Sequence, residues 1–143
     1  MPYGMTYEKL SKVLWTAGLD WTSDTIKAAL LAPTYTVDQY THEFWSDVNA
    51  DEVSSAGYTA GGATVTGTTI IDSDSGAVII DCDDLDWTGV TFTVRYIVFY
   101  KDTGTSSTSP LICCVDLEAD ITITASVFSL IVPPTGFIIS YTG

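Results

Sequence analysis

Residues 90–101, VTFTVRYIVFYK, alternate so that Val94, Tyr96, Val98 and Tyr100 take one side and Thr93, Arg95, Ile97 and Phe99 the other. Both sides are largely apolar, which predicts a central strand rather than an edge. Similar runs rich in Thr, Val, Ile and Gly predict strands at about 64–71, 77–82, 111–118, 121–131 and 136–142. The turns between them are DSDSG (72–76), DDLDWTG (83–89), DTGTSSTSP (102–110) and PPTG (133–136). Short strands at regular spacing predict an antiparallel β-sandwich or barrel.

The first 50 residues have a different rhythm. In TYEKLSKVLWTAG, Tyr7, Leu10, Val13 and Leu14 fall on one helical face, with Thr6 as cap and Gly18 as stop. An apolar strand follows at Ile26–Ala32, closed by Pro33. A second short helical turn is expected near Glu43, Phe44 and Trp45, capped by Thr41. The chain of 143 residues thus reads as one mainly β domain. Residues 1–50 form its helical and strand-like N-terminal segment, and residues 57–143 supply the sandwich strands.

Charge narrows the list of partners. Eighteen Asp and Glu against five Lys and Arg give a net charge of −13. Such a surface repels phosphate backbones and anionic lipid, so neither nucleic acid nor membrane is an expected partner. It favours basic protein surfaces and divalent cations, and a saline habitat would also tolerate it through screening. No apolar run approaches the roughly 20 residues that span a bilayer. MPYGMTYEKL lacks the basic and apolar regions of a signal peptide.

The densest chemistry is IDCDDLDW, residues 80–87. A helix-loop-helix calcium loop fails here, because Leu85 takes the third ligand position and neither the Gly nor the bidentate Glu follows. A looser calcium site through Asp83, Asp84 and Asp86 stays open beside the simpler reading of an acidic turn whose Trp87 returns to the core. Cys82, Cys113, Cys114 and His42 lack the short spacing of a zinc site. Adjacent Cys113 and Cys114 point to opposite faces of a strand and read as small buried hydrophobes, with one disulfide from Cys82 left open.

Catalytic readings find no support. His42 is the sole histidine, no G-x-S-x-G elbow occurs, and nothing flanks a cysteine as a nucleophile motif. GYTAGG (57–62) has neither a following Lys-Ser or Lys-Thr nor G-x-G-x-x-G spacing, so Gly61 and Gly62 are read as positive-φ turn residues. No cofactor and no catalytic residue are expected. Of the aromatic residues at element ends, Tyr58, Trp45 and Trp21 are candidate interface anchors, since Trp and Tyr dominate binding hot spots.

Several segments resemble one family in order. DTIK, the strand after it, YTVD, THEF, SDV, EV and GYTAGG (within 24–65), then DCDDLDW and VRYIVFYKDTGTSSTSPLI (94–112), resemble small acidic, decoration-type virion proteins of tailed phages. The resemblance covers about 24–118. It implies a structural protein of the virion, binding the major capsid protein or other virion proteins as a homo-oligomer, and brings no catalytic residues with it. A tail, neck or fibre component is the nearest alternative, and a carbohydrate- or receptor-binding module the next.

Overall fold

A computed structural model describes residues 3–16, 18–72, 77–132 and 137–140. The fold is mainly β. Its elements are β1 (Tyr3–Thr6), α1 (Leu10–Trp15), β2 (Ile26–Leu31), β3 (Ala63–Thr64), β4 (Thr69–Asp72), β5 (Ala77–Asp81), β6 (Leu85–Lys101), β7 (Leu111–Leu130) and β8 (Phe137–Ser140). Among the described residues these form two sheets, ordered β1-β7-β6-β2-β3 and β4-β5-β8, with every pairing antiparallel.

The central strand is where the apolar alternation predicts it, between β7 and β2. One face of the large sheet buries Ile26, Ala28, Leu30, Ile97, Phe99, Cys113 and Val115 in a core that also holds Ile80 and Cys82 from the small-sheet side. The other face buries Ala29, Leu31, Val98, Tyr100, Leu111 and Cys114. Tyr7, Tyr35, Trp45 and Val48, mostly from the segment between β2 and β3, cover it. Burial on both faces explains why β2 and β6 are so uniformly apolar.

One expectation about β6 needs correcting. Val94 does not share a face with Tyr96, Val98 and Tyr100; it joins Ile97 and Phe99. Pairing jumps from Val94↔Ile121 to Tyr96↔Asp116, so Leu117–Asp120 bulge out of β7 opposite Arg95. The bulge is held by its own side chains. Asp116 accepts from the Glu118 N–H at 2.8 Å, and Arg95 reaches Asp116 at 3.3 Å and Asp120 at 3.4 Å. Glu118 takes φ 62° there. A bulge bends a strand and shifts its facing, so the strands expected at 111–118 and 121–131 are one bent strand.

The N-terminal helix is shorter than its pattern implies. Thr6 pairs with Cys113 in β1 and does not cap a helix. Tyr7 turns to the opposite core from Leu10, and Leu14 is exposed. Gly18 does close the segment, its N–H donating to the Val13 carbonyl at 2.8 Å. The second helical turn is a pair of 3₁₀ turns, Trp45–Asp47 and Asn49–Asp51. Thr41 does not cap them. Asp47 reaches back to the N–H groups of Glu43 and Phe44, at 3.0 and 2.9 Å. The DSDSG turn beyond Asp72 and the PPTG turn lie outside the described residues.

Candidate functional site

The acidic stretch resolves into separate staples. Asp81 accepts from the Cys82 N–H at 2.9 Å. Asp83 accepts from the Thr66 hydroxyl at 2.9 Å, and its N–H donates to the Thr66 carbonyl. Asp84 accepts from the Val132 N–H at 2.8 Å, and Asp86 from the Ser129 hydroxyl at 2.5 Å. Asp83, Asp84 and Asp86 thus serve three different partners. Among the described residues no three His, Cys, Asp or Glu side chains come together as a metal ion requires. Trp87 is buried in β6 against Phe128, where the pattern expects it to plug the core. The three cysteines are free and buried. Burial pushes Cys82 up to about 11 and Cys114 up to about 12, and raises Cys113 as well.

The glycine-rich loop is a lock. Gly61 and Gly62 adopt φ +93° and +91°, as read from the sequence. The Glu52 carboxylate accepts from the Tyr58 hydroxyl at 2.7 Å and from the Gly61 N–H at 2.8 Å. Tyr58 in turn accepts from the Leu30 N–H at 3.1 Å, and the Tyr100 hydroxyl donates to the Gly61 carbonyl at 2.5 Å. The loop is tied to both β2 and β6 in this way.

Burial raises the pKa of Glu52, because a half-buried carboxylate loses hydration that two hydrogen bonds only partly replace. Its ionisation therefore opposes folding: the favourable contribution is complete below the ordinary glutamate range and is lost as pH rises through the raised value. Glu52→Gln keeps both acceptor bonds and removes that charge. We expect stability at pH 7 to change by no more than about 1 kcal/mol, in the stabilising direction, with the difference from wild type closing as pH falls towards 4. Urea titrations across that range measure it. A clear loss at pH 7 would mean that attraction to Lys27 outweighs the burial cost.

The candidate interface anchors are committed elsewhere. Trp21 is 4% exposed and packs against Phe99, its indole N–H donating to the Asp81 carbonyl at 3.2 Å. Trp45 is 6% exposed and stacks on Tyr100, with ring centroids 4.6 Å apart. Tyr58 is half-buried, edge-on to Phe92 and hydrogen-bonded as above. All three serve the interior, because each lies over a face of the large sheet that would otherwise meet water.

Among the described residues the most exposed aromatic is Trp15, 90% accessible at the end of α1, with exposed Leu14 beside it. The same helix roofs a hollow of about 310 Å³ that reaches Phe44, Lys101 and Pro110. A larger open groove of about 500 Å³ lies where residues 35–40 cross the large sheet, lined by Tyr35, Val37, Asp38, Tyr40, Tyr96 and Asp116 among others. Tyr96 stands edge-on to Tyr35 at 5.4 Å, and the Arg95 guanidinium lies 5.7 Å from the Tyr96 ring centre. Thr41 and two backbone N–H groups hold the Asp38 carboxyl below its ordinary range.

His42 borders this groove through Tyr35. Its Nδ1 lies 2.9 Å from the Tyr35 hydroxyl, which lies 3.0 Å from the buried Tyr7 hydroxyl. Tyr7 touches Cys114, so His42 meets a thiol only through two neutral phenols. This chain of contacts joins the 35–42 segment to the sheet, and it is not an arrangement of base beside nucleophile. Sequence reasoning missed the groove, because Tyr35, Tyr96 and Asp116 belong to three distant segments and carry no local motif.

Comparison with protein-family models, with curated proteins and with solved structures finds no match for this chain.

Proposed function

We propose that this chain is a structural protein of a tailed-virus particle, a decoration-type module that binds the major capsid protein on the capsid surface. The observation that carries the reading is Trp15. An indole 90% exposed on a short helix, beside exposed Leu14, costs solvation that a partner surface recovers. The frame behind it is closely tied, and the ordered resemblance within 24–118 supports the same class. Lys27, Arg95 and Lys101 are each engaged by a carboxylate, so the acidic excess remains available to basic capsid patches. Many weak copies on one lattice would gain strength by multivalency.

Quantitative mass spectrometry of purified particles tests this. About one copy per capsid subunit, or one per few, is expected. A handful per particle would move the protein to the neck, tail or fibres, and absence from particles would remove the virion reading. Trp15→Ala should reduce occupancy about tenfold or more, in keeping with a hot-spot anchor, while thermal stability stays within about 0.5 kcal/mol of wild type.

A second reading rests on the Tyr35–Tyr96–Asp116 groove. The exposed Tyr40 ring and the half-buried Tyr96, beside the Asp38 carboxylate, suit a sugar, which offers a C–H face and hydroxyl donors. Glycan binding that quenches tyrosine or tryptophan emission, and that Tyr40→Ala abolishes, would favour it.

A further inference from the structure

We infer that the outer edge of β7 from Ser126 to Leu130, continued by Ile131 just past its end, is a strand-addition site, and that its occupant is the same segment of a second copy of this chain, paired antiparallel about a two-fold axis. This gives the expected homo-oligomer a surface, and it does not depend on the virion reading.

β7 is paired with β6 along most of its length, but β1 covers its other side only at Cys113–Asp116. From Ile121 onward no described strand pairs with that side. The register slips between Ile123 and Ser126, where Ala125 takes φ 45°, and again between Ser126 and Phe128, where the extra residue lies in β6, so β7 itself has no insertion from Ser126 onward. Val132 turns its N–H inward to Asp84. Strand alternation then directs the N–H and C=O of Val127, Ser129 and Ile131 outward. The side chains agree: Phe128, Leu130 and Val132 are buried, while Val127 is 48% and Ile131 66% exposed.

An unpaired edge is a template for another strand, and proteins usually guard one with charge or proline. Residues 121–132, ITITASVFSLIV, contain neither. That neutrality argues for a second copy. On a chain of net charge −13 most approaches between copies are repulsive, whereas this segment brings no charge of its own. Asp84 and Asp86 beside it are already turned to Val132 and Ser129 of their own chain. The segment is also self-complementary. With the axis at Ser129, Val127 of each copy stands opposite Ile131 of the other, so both exposed apolar side chains gain a cross-strand partner. The result is a closed, isologous dimer.

Sedimentation equilibrium on the full chain, across concentration and at two salt levels, tests the proposal. A monomer–dimer equilibrium that tightens with salt is expected. Val127→Lys alone and Ile131→Glu alone should each weaken dimerisation about tenfold or more, with circular dichroism unchanged because both positions face water. An equimolar mixture of the two variants should recover the dimer, since the introduced lysine of one chain then faces the introduced glutamate of the other. A wild-type chain that stays monomeric overturns the proposal. So does an oligomer that neither variant weakens, and so does a mixture that fails to recover.

Discussion

Gly62→Ala should cost about 4 kcal/mol or more, a large share of the stability of an ordinary domain. Gly62 holds φ +91°, and a Cβ there would lie 2.1 Å from the Ala28 carbonyl oxygen and 2.7 Å from the Ala29 Cα. Both atoms are backbone of β2, which is fixed between β6 and β3. Nothing flexible is available to yield. Gly104 separates this packing from conformational preference. It has nearly the same φ, +88°, but nothing lies within 4 Å of its Cβ position. Gly104→Ala should therefore show only the left-handed penalty, about 1 kcal/mol. Urea denaturation of the two variants measures the difference. Equal losses would mean that the loop is not seated on β2 as described.

The contrast marks what a sequence carries and what it does not. GYTAGG is legible as a positive-φ turn because two adjacent glycines are a local signal, but its partners Glu52, Leu30 and Tyr100 are not local. The central position of β6 is legible because burial on both faces writes itself into every residue. So is the opposition of Cys113 and Cys114, which follows from strand alternation alone. The facing of Val94 was not legible, since it depends on a bulge in another strand that Arg95, Asp116 and Asp120 hold open. The tryptophans show the same boundary. Their type marks them as anchors, but whether an anchor faces the core or a partner is decided by what the chain folds over it. The Tyr35–Tyr96–Asp116 groove lies wholly beyond that boundary.

Trp45→Ala should cost about 3–5 kcal/mol, the range for emptying a large aromatic site in a core. The indole lies flat on Tyr100, 3° from parallel. The Trp45 N–H donates to the Ser109 carbonyl at 2.8 Å, next to the Leu111 N–H bond to Glu43 at 2.9 Å. Trp45 is thus the central weight on the segment that closes the second face of the large sheet, where Val48 and Tyr35 also pack. Its loss exposes Tyr100, whose hydroxyl holds the Gly61 carbonyl, so damage should spread from the 35–48 segment into the glycine-rich lock. Amide exchange in Trp45→Ala should therefore rise at Gly61 and Gly62 as well as at Val48. Trp15→Ala, by comparison, should leave exchange at all these sites unchanged. If instead Trp45→Ala leaves stability intact, the indole is not filling the core and its role as a partner contact reopens. If both variants destabilise equally, Trp15 is packed against the chain and the exposed anchor on which the proposed capsid binding rests is lost.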